Sequence, residues 1–239
     1  MSIQKRLLAK GSAYESPYYV IKGEQKGPVC MITAGIHGRE KAGILAAQKF
    51  QNIRLKRGTL ILVPIVNKKA YLLNRRGFPG CPDLNRTFPY KTDRRPRHQL
   101  ADQLLHLART FRPDLTLDLH EANGFYKKDK SKLGQTIINI PKSPTVTSSK
   151  KVAARINKMI DNSVHHFSVA QNVVPRSFRL AMARSLGCKA ITIETSMSLR
   201  LKTRIKYHEE IVKMFLKEMG LIDKNIKHLV EIIQPSPRD

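Results

Sequence analysis

Two side chains that can bind a metal ion, His37 and Glu40, lie three positions apart in the segment "GIHGRE". An apolar run ends just before them and an amphipathic pattern begins after them, so we predict a strand-to-helix turn at this point. The spacing alone is weak evidence for a metal site. His37 could instead hydrogen-bond to the backbone, and Glu40 could be an acid that favours a helix N-terminus.

His120 is the candidate for a third ligand, because it ends the alternating segment "DLTLDLH". Two histidines and one glutamate, with a fourth position left open, form an established ligand set of hydrolytic zinc sites. We therefore predict that His37, Glu40 and His120 bind one zinc ion. Asp118 is expected to have a structural role or to orient a ligand histidine.

Glu194 is a carboxylate near the end of the apolar segment "AITIETS". Burying a carboxylate without a partner is unfavourable, so its position needs a reason. Next to a metal-activated water it would take a proton from the water and pass it to the leaving amine. The alternative is a strand-end acid that pairs with an arginine.

The segment "CPDLNRTFP" carries residues that can hold a substrate carboxylate. Arg86 can bind a carboxylate through two parallel hydrogen bonds, and Asn85 can donate from its amide. Arg75 or Arg76, earlier in the same irregular stretch, could polarise a carbonyl and stabilise its oxyanion. The alternative for any of these arginines is surface charge.

Strands and helices alternate along the sequence, which predicts a mostly parallel sheet covered by helices on both faces. Strands are predicted over 28–36, 58–67, 114–120, 135–140 and 189–196, and helices over 39–51, 97–111, 148–162, 177–187, 202–220 and 223–233. We expect a single three-layer α/β/α domain over 1–239, with a core over about 28–220 and a C-terminal helical tail over 221–239. Ligands of such sheets bind beyond the carboxyl ends of the strands, where His37, His120 and Glu194 are predicted to lie.

The chain is strongly basic, with 44 Lys and Arg against 18 Asp and Glu and a formal net charge of +26. These residues are spread along the whole chain without a nucleic-acid-binding motif, so a solvated basic surface is favoured over a polyanion partner. No apolar run approaches the ~20 residues of a membrane span, and the N-terminus does not resemble a signal peptide. Three widely spaced cysteines are expected to be reduced thiols. A cytoplasmic protein without a membrane partner is therefore expected.

Four motifs in order resemble the zinc carboxypeptidase superfamily: "GIHGRE", "DLNRTFP", "LDLHE" and "TIETS". The resemblance covers about residues 28–200. It is strongest to the succinylglutamate desuccinylase/aspartoacylase branch and to small bacterial murein-peptide carboxypeptidases.

The resemblance implies a role for each matching residue. It makes His37, Glu40 and His120 the zinc ligands, Asn85 and Arg86 the binders of a substrate carboxylate, and Glu194 the general base and acid. One of Arg75 and Arg76 would polarise the carbonyl, and Arg75 is favoured because "NKKAYLLNR" resembles the run into that residue of the family.

Two features depart from the family. The tyrosine that larger carboxypeptidases carry some twenty residues before the catalytic glutamate is missing from "AQNVVPRSF". Only about forty residues follow Glu194, and their pattern is helical, whereas aspartoacylase-type enzymes add a β domain there.

The expected function is hydrolysis, with zinc, of an amide bond next to a free carboxylate in a small acidic substrate or short peptide. The enzyme would be an N-acyl amino acid deacylase or a carboxypeptidase. A murein-peptide (γ-glutamyl-diaminopimelate) carboxypeptidase is the first alternative. A basic nucleic-acid-binding module on a non-catalytic fold is the second, and the intact ligand positions argue against it.

Overall fold

A mixed eight-stranded sheet forms the middle of the computed structural model, which describes residues 1–93 and 95–223. The strands, in chain order, are β1 (Ser2–Leu8), β2 (Ser16–Lys22), β3 (Gln25–Ala34), β4 (Arg57–Val63), β5 (Leu115–Ala122), β6 (Thr136–Asn139), β7 (Ser168–Gln171) and β8 (Lys189–Ser196). Their spatial order is β1-β2-β4-β3-β5-β8-β6-β7. Strands β4, β3, β5 and β8 run parallel to one another. Strand β2 pairs antiparallel with β1 and β4, and β6 pairs antiparallel with β8 and parallel with β7.

Helices cover both faces of this sheet. They are α1 (Lys41–Gln48), α2 (Lys68–Leu72), α3 (Gln99–Phe111), α4 (Thr145–Asn157), α5 (Phe178–Leu186) and α6 (Leu201–Glu218). Apolar residues of α1, α4 and α6 form one core cluster with the sheet, and those of α3 and α5 form the other. The fold is therefore the predicted three-layer α/β/α arrangement.

Local sequence signals account for the ends of the two helices on the second face. His98 precedes α3 and its side chain accepts a hydrogen bond from the Leu100 amide, while Ser177 does the same for Leu180 in α5. Side-chain acceptors at this position satisfy amides that the first helical turn leaves unpaired. Helix α5 ends at Gly187, which has a φ of +62°, a left-handed conformation that favours glycine.

Four elements of the structure were not predicted. The edge strand β1 is polar and mostly exposed, and β2 and the short β7 were also missed. Helix α2 lies at the start of the irregular stretch that also contains Arg75 and Arg76, for which no helix was predicted. The helix predicted over 223–233 lies, apart from its first residue, outside the described part of the chain. Within that part, no helix is long and apolar enough to cross a membrane.

The order of the central strands brings the predicted site residues together. Strands β3, β5 and β8 are adjacent and parallel, so their carboxyl ends meet at one edge of the sheet. In the register of β5 with β8, His120 lies directly opposite Glu194. The connection from β3 to α1, which holds His37 and Glu40, begins at the same edge.

Candidate metal centre and active site

The turn between β3 and α1 aims His37 and Glu40 at the same point. Gly35 has a φ of +70°, and a Cβ on Gly38 would lie 2.1 Å from the backbone carbonyl carbon of Ala70 in α2. Glycine is therefore required at both positions, at the first for its conformation and at the second for close packing. In the resulting turn, Nδ1 of His37 lies 2.7 Å from Oε1 of Glu40.

His120 completes a compact group with these two residues. Its Nδ1 lies 2.8 Å from Oε2 of Glu40, and all three side chains are buried. One ligand atom from each of the three residues lies within 4.8 Å of the others, so the group could hold a metal ion. Two imidazoles and a carboxylate are a donor set that suits zinc.

A carboxylate holds the second ring nitrogen of each histidine. Nε2 of His37 lies 3.0 Å from Oδ1 of Asp83, and Nε2 of His120 lies 2.8 Å from Oδ2 of Asp118. Asp118 is itself fixed by the hydroxyl of Thr33, which donates to Oδ1 at 2.7 Å. Such outer partners fix the orientation of ligand histidines. The contact of Asp118 with His120 fits the orienting role that the sequence suggested for Asp118. No role was predicted for Asp83, although it is the first residue of the motif "DLNR".

The charges of this group stabilise one another. Burial alone would raise the pKa of Glu40. The charges and hydrogen bonds of His120 and His37 have the larger effect and hold this pKa below its usual range. Burial lowers the pKa of His120, but Asp118 and Glu40 raise it well above its ordinary value. This arrangement therefore favours the doubly protonated, charged form of His120, and a metal ion bound by His120 would compete with one of those protons.

Glu194 lies beside the group, directly opposite His120 in the register of β5 with β8. Burial raises its pKa to about 8, Glu40 and Asp118 act in the same direction, and His120 and Arg76 act against it. Its Oε2 is buried and accepts no hydrogen bond from any described residue. A carboxyl group in this state can gain and lose a proton near neutral pH.

A cleft of about 240 Å³ opens over these residues and is also lined by Asn85 and Arg86. Both belong to a short 3-10 turn, Leu84–Arg86. Oδ1 of Asn85 accepts a hydrogen bond from the Phe178 amide at 2.8 Å, which orients its side chain. Arg86 is exposed, and its Nη1 donates to the Asn85 carbonyl at 2.9 Å.

Of the two arginines considered for polarising the carbonyl, Arg76 lines the cleft, whereas Arg75, the one favoured from the sequence, is exposed and is not among the residues that line it. Asn74 has a φ of +51° just after α2, and this turn directs the two neighbouring arginines differently. Arg76 donates to Oδ2 of Asp83 from Nη2 at 2.9 Å and lies 3.6 Å from Glu40. Both hydrogen-bonding and charge thus hold Arg76 beside the candidate metal ligands.

Three further residues of the site were not anticipated. They are Glu121, Asn172 and Arg179, and all three line the cleft. The Glu121 carboxylate accepts a hydrogen bond from the Ala42 amide at 2.8 Å and pairs with Arg204, so it ties β5 to α1 and α6. Nothing in the sequence distinguishes Arg179 from the rest of the 44 Lys and Arg residues.

Known proteins resemble the chain both in sequence and in fold. N-alpha-acetyl-L-2,4-diaminobutyric acid deacetylase of Halomonas elongata is 37% identical over 111 residues, which are 44% of this chain and 31% of that protein. The apo structure of cell shape determinant protein Csd4 from Helicobacter pylori matches with a TM-score of 0.73 and 19% identity, over 92% of this chain and 55% of Csd4. Csd4, described as a D,L-carboxypeptidase, also matches in its mDAP-bound form, with a TM-score of 0.71 and 22% identity over 82% and 51% of the two chains.

The chain thus spans about a third of the deacetylase and about half of Csd4. The model of the succinylglutamate desuccinylase/aspartoacylase catalytic domain, in contrast, matches residues 26–219. Because this match takes in most of the chain, the protein belongs to the succinylglutamate desuccinylase/aspartoacylase catalytic-domain family of hydrolases, as the four motifs had indicated.

Proposed function

We propose that the protein is a zinc-dependent hydrolase that cleaves an amide bond next to a free carboxylate in a small acidic substrate. The substrate is an N-acyl amino acid or a short peptide with a free C-terminus. The observation that carries this proposal is the buried group of His37, Glu40 and His120 with Glu194 beside it in register. Family membership supports the same reaction class.

His37, Glu40 and His120 would hold the zinc ion, with Asp83 and Asp118 orienting the two histidines. When bound, zinc supplies Lewis-acid polarisation of a water molecule and of the scissile carbonyl. The histidines offer nitrogen and Glu40 offers a carboxylate oxygen, so the ligand set has the composition of a catalytic site.

Glu194 moves the proton. Its carboxylate accepts a proton from the attacking water, and the same oxygen then gives it to the nitrogen of the leaving amine as the C–N bond breaks. The unpartnered Oε2 is the atom that fits this role, because no described residue competes for it. The raised pKa of about 8 places its two protonation states close in free energy near neutral pH.

Three residues would bind the substrate. Arg76 is held by Asp83 at the edge of the ligand group, where it can stabilise negative charge on the carbonyl oxygen. Arg86 and Asn85 would hold the free carboxylate, the first as a two-pronged donor and the second through its amide. The reaction would take place in the cytosol, a location that suits the three free cysteines.

A murein-peptide carboxypeptidase is the second candidate, and the match to the mDAP-bound form of Csd4 favours it. That match is at fold level, whereas the deacetylase is similar in sequence. A nucleic-acid-binding role is disfavoured, because a buried His-Glu-His group has no purpose in it. A panel of N-acetyl amino acids and γ-glutamyl-diaminopimelate peptides would separate the two hydrolases.

Replacing Glu194 by Gln tests the mechanism. The variant should bind one equivalent of zinc like the natural protein and lose about 10²–10⁴-fold in kcat, since the proton carrier is gone. A chelator should abolish hydrolysis by the natural protein, and zinc should restore it. Glu24→Gln, on the exposed surface, is the control and should stay fully active. A Glu194→Gln variant with undiminished turnover would contradict the proposed mechanism.

A further inference from the structure

The loop that leads from β5 to β6 borders the cleft and carries a cluster of lysines. Asn123 and Leu133, near the two ends of this loop, both line the cleft. Between them lie four exposed lysines, called the basic rim below: Lys127, Lys128, Lys130 and Lys132. Positive charge is therefore concentrated beside the mouth of the cleft, apart from the residues that would cut the substrate.

Hydrogen bonds and a ring contact give this loop a defined backbone. The Tyr126 amide donates to the carbonyl of Gly134 at 3.0 Å, and the Lys128 amide donates to the carbonyl of Phe125 at 3.0 Å. The Phe125 ring stacks on the His165 ring, with the two ring centroids 4.4 Å apart. The chain itself thus fixes the backbone that carries the lysines, which reduces the ordering that a ligand has to impose when it binds.

Asp129 is the one acidic residue between Asn123 and Leu133, and its carboxylate is engaged within the loop. Its Oδ1 accepts a hydrogen bond from the Ser131 amide at 2.8 Å, which is the main cause that lowers the pKa of Asp129. The charge of Lys132 has a smaller effect in the same direction. The other three lysines of the basic rim form no ion pair with a described residue. The loop therefore keeps a surplus of positive charge that an external anion can neutralise.

Two arginines of the cleft extend this positive charge. Arg39 and Arg86 line the cleft, are exposed and form no ion pair with a described residue. Charges of one sign along a cleft raise the local concentration and the association rate of ligands of the opposite sign. The basic rim and the two arginines therefore favour a ligand with several negative charges over a ligand with a single carboxylate.

An acidic peptide suits the basic rim better than a nucleic acid does. Single-stranded nucleic acids bind in basic grooves whose aromatic rings stack on the bases. Each aromatic ring of the loop already has a partner: Phe125 stacks on His165, and Nζ of Lys130 lies 4.1 Å from the centroid of the Tyr126 ring. An extended peptide adds about 3.3–3.6 Å per residue, so a few residues suffice to extend beyond a cleft of about 240 Å³.

We propose that the basic rim binds the N-terminal part of an acidic peptide whose C-terminal residue is released in the cleft. This inference rests on the proposed function and names its substrate class: peptides with several glutamate or aspartate residues before the scissile bond. The C-terminal carboxylate is the group that Asn85 and Arg86 would hold, while the rim binds a part of the substrate that does not react. Water is consumed in breaking one C–N bond, so the peptide gains a carboxylate and the released residue gains an amine.

The first test compares the zinc-loaded natural protein with the rim variant, Lys127→Ser/Lys128→Ser/Lys130→Ser. The substrates are an N-acetylated peptide of five glutamates and a peptide with four glutamines before the same C-terminal glutamate. The natural protein should cleave the acidic peptide with a KM about tenfold lower, since each exposed ion pair strengthens binding by a factor of about 1.4–5. The rim variant should lose this difference with kcat unchanged, because the rim contacts a part of the substrate that does not react. High salt should reduce the difference in the natural protein.

A matched control separates the basic rim from the net charge of the whole protein. Lys150→Ser/Lys151→Ser/Lys158→Ser removes three exposed lysines that do not line the cleft, so it changes the net charge by the same amount. This variant should keep the preference for the acidic peptide. If the rim variant and the control variant lose the preference equally, the inference is wrong. Lys128→Glu, a single change that reverses one charge of the rim, serves if the triple rim variant does not fold.

A binding measurement separates this inference from the proposed function. Fluorescence anisotropy follows the two labelled peptides on zinc-loaded Glu194→Gln, with and without the rim substitutions, so that binding is measured without turnover. Tighter binding of the acidic peptide that is lost with the rim substitutions supports the inference even if the natural protein hydrolyses neither peptide. Equal binding of the two peptides overturns it. An oligothymidylate that binds more tightly than the acidic peptide and depends on the same lysines also overturns it, because the rim would then be a nucleic-acid surface.

Discussion

Two walls of the cleft differ in how their charged groups are satisfied. In the ligand wall, formed by His37, Glu40, His120, Asp83 and Asp118, each ring nitrogen faces a carboxylate oxygen within 3.0 Å. In the helix wall, formed by Asn172, Ser177 and Arg179, the buried Nε of Arg179 has no acceptor among the described residues. The chain itself thus pairs the charged groups of the ligand wall more completely than those of the helix wall.

Removing Glu40 should have the largest effect, because this residue joins both histidines in the ligand wall. Glu40→Ala should lose zinc binding and reduce hydrolysis to background. It should also lower the free energy of unfolding by about 3 kcal/mol or more, since it leaves buried, charged partners unpaired. Zinc content and urea unfolding measure the two effects. Glu24→Ala, at the surface, should alter neither, and a Glu40→Ala variant that retains stoichiometric zinc would remove Glu40 from the ligand set.

The pH dependence of zinc binding tests the protonation state of His120 in the ligand wall. Asp118 and Glu40 raise the pKa of His120 well above its ordinary value, so a proton occupies the imidazole at neutral pH. Zinc displaces this proton, and its affinity should therefore rise with pH by about tenfold per unit below that pKa. Competition with a chelator at pH 6, 7 and 8 gives the affinities. Equal affinities over this range would show that His120 gives up no proton when zinc binds.

Substitution of Asp83 should weaken the ligand wall less than substitution of Glu40. It orients His37 through Oδ1 and Arg76 through Oδ2, and both contacts hold its pKa below the usual range although burial raises it. Asp83→Asn should weaken zinc binding by about 10–100-fold, the effect typical of residues that orient a ligand histidine. Asp129→Asn, on an exposed loop, is the control. Unchanged zinc affinity and unchanged kcat in Asp83→Asn would mean that His37 needs no such support.

The sequence predicted the ligand wall far better than the helix wall. His37, Glu40, His120 and Glu194 stand at strand ends, and parallel strands bring such ends together whatever the details of packing. Residue type and position along the chain therefore sufficed to predict that the candidate metal ligands lie together. The central strands and most helices were predicted for a related reason, because their apolar periodicity reflects burial on the sheet.

The features that the sequence did not predict depend on tertiary contacts and backbone conformation, which the apolar periodicity of the sequence does not reflect. Arg179 is conspicuous only because it is buried and its Nε has no acceptor among the described residues, and neither property can be read from one arginine among many basic residues. Choosing between Arg75 and Arg76 required the turn at Asn74, a left-handed conformation that spacing does not show. The polar edge strand β1 is paired on one side only, with β2, so it lacks the apolar alternation of a half-buried strand.

Asn172→Ala should have the smallest effect and tests how Arg179 is held in the helix wall. The substitution removes Oδ1, which accepts from Nη2 of Arg179, and leaves the backbone carbonyl that accepts from Nη1. Arg179 keeps one of its two anchors, so the free energy of unfolding should fall by only about 1–3 kcal/mol, the range of one hydrogen bond to a charged group. Urea unfolding measures this loss. Val173→Ala, at the exposed neighbouring position, is the matched control. An Asn172→Ala variant as stable as the natural protein would show that Nη2 of Arg179 does not depend on this acceptor.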